Sequence, residues 1–336
     1  MAFIDPRNRL HLVTQRPSLA TARTAIVVDA GCDLPSEFFE QPGVMVLPIS
    51  VKVGEHEYTD NHSVETTQRF LADNLGGRNA GAETRPYSVK EIRSLFLERL
   101  VLDYDSVYCL TISAKRSEIY ENAMRASLDI IRDSREMRNA AGIAKPFLLR
   151  VIDTKNVFAG QGIAALDLVD MIDRGMAPRD ITPRLFKIVE ASYGYFVPDD
   201  LYYLRTRAKK RGDRSVGLVG AVLGSTLDIK PLIRAHMGVT TPVAKMRGRD
   251  TAMRKLFRFA GDRVQAGLLT PHVNISYGGP LEELRELPGY RQLGEICAAK
   301  RVALHESMMS ITGCVNVGPR GVAVAFAAPP HDLSGF

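Results

Sequence analysis

The chain has 336 residues, of which 45% are hydrophobic and 24% charged. That length exceeds one ordinary core, so two domains are expected, and the composition excludes a disordered or fibrous chain. A net charge of +6 and a pI near 9.1 fit either an anionic partner or a mildly basic surface.

Residues 1–23 carry Arg7, Arg9, Arg16 and Arg23 without an apolar block, so they read as an extension and not as a secretory signal. Apolar runs follow at 25–29, 44–53, 106–112 and 146–152. Continuous runs rich in β-branched residues predict strands buried on both faces. Helix-like segments lie between them near 90–102, 116–134 and 157–173. Strand and helix in alternation predict a parallel, doubly wound sheet. Gly175 and Pro178 punctuate the chain, which places the division into α/β domains at 24–178 and 179–336. The second half predicts strands at 193–197, 229–233, 238–245, 271–277, 301–305 and 321–327, with helices at 199–210, 249–268 and 280–299. Met237-Gly238 marks a turn, and the pairing is expected to be mixed or antiparallel.

Cys32, Cys109, Cys297 and Cys314 show no C-x-x-C spacing. They read as buried reduced thiols in a cytoplasmic protein, not as disulfides or zinc ligands. No run of about 18 apolar residues is present, so no membrane span is expected. Phosphate-loop, dinucleotide, nucleophile-elbow and zinc-protease motifs are all missing. The histidines are scattered, and the cluster around His56 and His62 reads as a hairpin tip; no metal or cofactor is expected.

Ligands of a doubly wound sheet bind at the carboxyl ends of its strands. Those ends carry Asp29 to Pro35, Ser113 to Ser117, and Asp153 to Asn156. Ser117, with Tyr120 one turn on, opens a helix and reads as a cap or as a hydroxyl for an anion. Thr84, in the loop Glu83 to Ser88, offers a second hydroxyl or a plain turn contact. The stretch holding Arg205, Arg207, Lys209, Lys210, Arg211 and Arg214 reads as a solvated helix face or a docking patch for an acidic partner. Nucleic acid is the weaker reading, because few aromatics are interleaved and no RNA-binding motif is present.

Read together, the segments resemble the DegV family of bacterial fatty-acid-binding proteins. V-V-D-A-G-C-D-L-P (27–35) is similar to the family's D-S-x-x-D-L-P opening, and V-L-P-I-S-V-K-V (46–53) to its next strand. T-I-S-A-K-R-S-E-I-Y-E-N-A (111–123) resembles the family's I-S-x-x-L-S-G-T-Y-x-S-A. V-I-D-T-K-N (151–156) with G-Q-G (160–162), L-G-S-T-L-D-I-K-P-L-I (223–233) and V-G-P-R-G-V-A-V (317–324) resemble later family segments in the same order. The resemblance spans about residues 25–327.

It implies two α/β domains with a long-chain fatty acid buried between them, no catalytic residue, and in some members presentation of the acid to a separate fatty-acid kinase. The head group would be held by Thr84, Arg85, Ser117, Arg214 and Asn316, with Asp29, Ser113, Glu118, Ile119 and Tyr277 lining the pocket. Arg205, Arg207, Lys209, Lys210 and Arg211 would serve partner docking. The head-group end departs from the family pattern. T-S-x-P appears as Glu83-Thr84-Arg85-Pro86, and S-G-T as Ser117-Glu118-Ile119. Asn316 and Tyr277 stand where the family has histidines. Glu118 beside a ligand carboxylate would be costly in a dry site, so it must point away or be offset by Arg85 or Arg214. The alternatives are a phospho- or acyltransferase using Asp29, Asp33 or Asp153, and a regulatory protein docking through the basic stretch.

Overall fold

Pro48 divides the apolar run 44–53 between two sheets, because it has no N–H to give a ladder and turns the chain between its halves. The computed structural model describes residues 23–74, 82–202, 228–333 and 336. The extension up to residue 22, the basic residues Arg205, Arg207, Lys209, Lys210, Arg211 and Arg214, and most of the expected helix 199–210 lie outside the described residues.

Strands β1 (Thr24–Asp29), β2 (Val44–Leu47), β6 (Ser106–Thr111) and β7 (Leu148–Asp153) form the expected parallel sheet in the order β2-β1-β6-β7. The short helix α1 (Ser36–Phe39) joins β1 to β2. The rest of the divided run, β3 (Ile49–Val53), forms an antiparallel three-stranded sheet with β4 (His56–Asp60) and β5 (Glu83–Pro86). The segment Glu83 to Pro86, expected as a loop, is therefore an edge strand, and proline is tolerated at its end. The β3–β4 hairpin turns at Gly54 (φ 59°), as expected for its polar tip, but His62 lies beyond β4 and not at that tip.

Helix α2 (Val64–Asn74) follows β4. Helix α3 (Val89–Arg99) starts with a capping box between Ser88 and Glu91. Helix α4 (Ile119–Ala140) runs longer than the sequence pattern indicated. Helix α5 (Ala159–Asp173) is buried on nearly every side, which marks a helix with no solvent face. It touches β1 and β6 on one side and β8 (Ser192–Val197), β11 (His272–Tyr277) and β13 (Val322–Ala327) on the other. Helix α6 (Pro178–Ala191) begins where punctuation was expected, with Pro178 in its first turn. Its Ile181, Leu185 and Val189 pack with Ile26 and Val28 of β1. The division at 178/179, which we propose, thus falls at the start of a helix joining the two sheets.

The second half builds a mixed six-stranded sheet in the order β10-β9-β8-β13-β11-β12. Its remaining strands are β9 (Ile229–His236), β10 (Val239–Arg247) and β12 (Ala303–Met308), and only β11 and β12 run parallel. Met237 and Gly238, both at positive φ (51° and 75°), turn the β9–β10 hairpin as expected. Helix α7 (Arg249–Ala266) covers the outer face. The helix expected over 280–299 is split by Pro288 and Gly289 into α8 (Leu281–Arg285) and α9 (Tyr290–Lys300). A further helix, α10 (Ile311–Val317), was not anticipated; Ser310 caps it by accepting from the Gly313 amide. All four cysteines are buried and unpaired. Among the described residues no helix is long and apolar enough to cross a membrane.

Candidate functional site

One apolar interior spans the two sheets. It joins Val51 of β3, Ile119 and Ala123 of α4, Phe158, Phe196 of β8, Ile233 of β9, and Ile311 and Val315 of α10. Helix α10 lies against β3, and the Thr312 amide donates to Asp60 at the end of β4 at 2.7 Å. Three of the sequence-derived head-group residues, Thr84, Ser117 and Asn316, are half-buried and lie on, or just before, elements that contribute to this interior.

Thr84 sits on β5 opposite Val51, so alternation along the strand puts it on the inward face. Ser117 precedes α4, and its hydroxyl accepts from the Ile119 amide at 3.3 Å. The helix cap position belongs to Glu118, which has helical backbone angles and makes no side-chain cap bond, so Ser117 is not the cap that its sequence position suggests. Asn316 is on α10, where its Nδ2 donates to the Thr312 carbonyl at 2.7 Å. That amide is spent within the helix, so a ligand would have to compete for it or use the carbonyl oxygen.

The other sequence-derived residues sort differently. Arg85 points outward, because it is one residue from Thr84 on a strand; it pairs with Glu91 at 3.1 Å and is 59% exposed. Glu118 is exposed and turned away, which removes the like-charge conflict. Ile119 is fully buried in the interior. Ser113 is buried, accepts from the Lys115 amide at 3.3 Å, and sits under Gly238 of the β9–β10 turn. Tyr277 does not face this interior. It belongs to the core under α7 and α9, and its hydroxyl donates to Glu283 at 2.8 Å. Its neighbour Ser276 points the other way, as strand period dictates. Arg214 lies outside the described residues.

The strand-end carboxylates are tied up in hydrogen bonds to backbone amides and neighbouring side chains. Asp153 accepts from the amides of Lys155 (2.7 Å) and Ala114 (3.2 Å). Asp29 accepts from the amides of Gly31 (2.8 Å) and Ile112 (2.5 Å) and from Gln161 (3.3 Å). Asp33 reaches the second sheet, accepting from the Ser276 hydroxyl (2.5 Å) and the Ser310 amide (3.0 Å). Burial raises Asp29 and Asp33 to about 6 and Asp60 to about 7, since ionising them in an apolar interior is costly. Sequence reasoning placed Asp60 only in a polar cluster at a hairpin and passed over Asn274 and Thr312; a buried polar residue inside a strand run was the only signal for Asn274. Among the described residues no group of three histidine, cysteine or acidic side chains is placed to hold a metal.

A separate cleft of about 650 Å³ opens between α2 and α8, lined by Phe39, His62, Leu71, Arg285 and Glu306 among others. Thr84, Ser117 and Asn316 do not line it.

The family described as "Uncharacterised protein, DegV family" matches residues 23–329. The chain belongs to the DegV family. A DegV domain-containing protein of Xanthomonas campestris is 53% identical over 312 residues, covering 93% of this chain and 99% of its own. Protein DegV of Bacillus subtilis is 26% identical over 73% of this chain and 79% of its own. Three solved structures share the DegV fold. The stearic acid-binding protein of Eubacterium ventriosum superposes with a TM-score of 0.72 at 23% identity, covering 91% of this chain and 98% of that one. DegV of Bacillus subtilis, described as a fatty acid binding protein, gives 0.69 at 21% identity, with 91% and 99% covered. The Fatty Acid Kinase B3 protein of Streptococcus pneumoniae, loaded with linoleic acid, gives 0.70 at 17% identity, again with 91% and 99% covered.

Proposed function

We propose that this DegV protein binds a long-chain fatty acid in the apolar interior between α4, β5 and α10, and presents its head group to a partner such as a fatty-acid kinase. One observation carries the reading: DegV folds described as fatty-acid-bound superpose on about nine-tenths of this chain. The physical case is that each buried methylene contributes about 0.8 kcal/mol, so an acyl chain gains affinity even where the polar end has diverged. Thr84 and Ser117 supply hydroxyls at the rim of the interior, and Asn316 supplies an amide. Arg85 faces Glu91 and reaches a ligand only by leaving that pair. A contribution from Arg214, and docking of the partner through Arg205, Arg207, Lys209, Lys210 and Arg211, are parts of the same proposal. So is a cytoplasmic location, where unpaired thiols persist. The protein acts as a carrier and the partner supplies the chemistry; the strand-end carboxylates are engaged in holding loops.

Native mass spectrometry of the purified protein, followed by solvent extraction, tests the proposal. A stoichiometric free fatty acid supports it, and the acid's length sizes the site. A protein that stays empty after incubation with oleate and palmitate refutes it.

A further inference from the structure

Asp29, Asp33 and Asp60 are buried, each no more than 1% exposed, and none is paired with an arginine, lysine or histidine side chain among the described residues. Buried carboxylates without a cation are rare because the charge loses its hydration. Asp33 and Asp60 both end on the first turn of α10, a helix of seven residues. A helix that short is marginal without tertiary contacts. Asp33 takes the Ser310 amide and Asp60 takes the Thr312 amide, with the Thr312 hydroxyl and the His62 amide also beside the Asp60 carboxyl. The same helix places Ile311 and Val315 in the shared apolar interior and carries Asn316.

We propose that Asp33 and Asp60 are positioning residues that latch α10 over the ligand, and that the latch tightens as pH falls. The proposal rests on the carrier reading for its consequence, though not for its structural part. When α10 is seated, burial favours the protonated carboxyls. When it lifts, water reaches them and they ionise at ordinary values. Opening therefore releases protons, so acid opposes it and alkali promotes it, over a window of roughly pH 4 to 7. The surrounding groups leave this direction intact. Asp29 adds like charge beside Asp33. The Cys32 and Cys314 thiols are pushed up and stay neutral. His62 gives Asp60 its backbone amide, and burial holds its imidazole uncharged.

Two readouts separate this proposal from the carrier reading. Hydrogen exchange of the Ser310 and Thr312 amides, referenced to intrinsic exchange at each pH, needs no ligand. Protection is expected to drop by well over tenfold between pH 5 and pH 8 in the wild type, by about tenfold in Asp60→Asn, where Asp33 alone remains, and by an intermediate amount in Asp33→Asn. Oleate transfer to phosphatidylcholine vesicles is expected to accelerate over the same range, most steeply in the wild type and less in either variant. Equal exchange slopes in the wild type and both variants overturn the latch, whether or not oleate binds. A shallower exchange profile in the variants with unchanged pH dependence of transfer overturns its control of the ligand. Failure to bind oleate with the exchange result intact refutes the carrier reading and leaves the latch standing.

Discussion

Asn274 and Asp33, 241 positions apart in the chain, are joined by a 2.8 Å hydrogen bond from the Asn274 Nδ2 to the Asp33 carbonyl. The same nitrogen also donates to the carbonyl of Ala159 at 2.9 Å, so one buried amide on β11 ties β1's loop and the start of α5 to the second sheet. Replacing Asn274 by Ala leaves two buried carbonyls short of a donor. The expected loss is about 2–3 kcal/mol, read as a lower urea midpoint. An unchanged midpoint would show that water replaces the amide.

Gly162 passes this junction with no room for a side chain. A Cβ there would lie 2.6 Å from the Asn274 Nδ2, 2.8 Å from Leu34 and 3.0 Å from the Asp33 carbonyl. Gly162→Ala is expected to cost about 1–3 kcal/mol through overpacking, although alanine favours helices. Thermal unfolding measures it, and a stabilised variant would contradict the close approach.

The head-group assignment separates neighbouring residues. Ser117→Ala is expected to raise the dissociation constant for oleate about fivefold, the equivalent of one hydrogen bond. Glu118→Gln, one residue on but exposed, is expected to leave both binding and stability unchanged within about 0.5 kcal/mol. Competition against a fluorescent fatty acid distinguishes them. Equal effects from the two variants would count against Ser117.

Tyr277→Phe removes the bond to Glu283 on the far side of β11. About 1 kcal/mol of stability is expected to go, with oleate affinity intact. Loss of affinity would return Tyr277 to the ligand site.

Stability and pH are coupled with opposite signs in different groups. Burial raises Asp60, so its unfavourable contribution grows as pH rises from about 4 towards its folded value near 7. His62, His236 and His331 are lowered mainly by burial, so they favour the folded state more as pH rises through the same range. The wild-type profile is therefore expected to be flatter than Asp29, Asp33 and Asp60 alone would give. The stability of Asp60→Asn minus that of the wild type isolates the carboxylate and is expected to increase between pH 4 and pH 7, by on the order of 2 kcal/mol. Urea titrations across that range measure it, and a difference that falls with pH would reverse the assignment.

The parallel sheet of the first half, the strand–turn–strand at Met237-Gly238 and the family were legible in the residues alone. These rest on local signals: uninterrupted β-branched runs, positive-φ turn residues, and motifs that keep their order. Pro48 was legible as a residue, but the transfer of β3 to a second sheet was not, because a proline says where a ladder breaks and not where the next one forms. Tertiary structure alone decided which polar residues face one another. Tyr277 and Ser276 are adjacent in the chain and face opposite cores, and only the sheet's place in the fold says which core is which. Thr84 and Arg85 divide in the same way between the interior and the Glu91 ion pair. In the sequence Asp33 is one of several strand-end carboxylates and Asp60 part of a polar cluster near a hairpin. Their burial against α10, which gives them their unusual chemistry, follows from contacts across some 250 residues that no local pattern encodes.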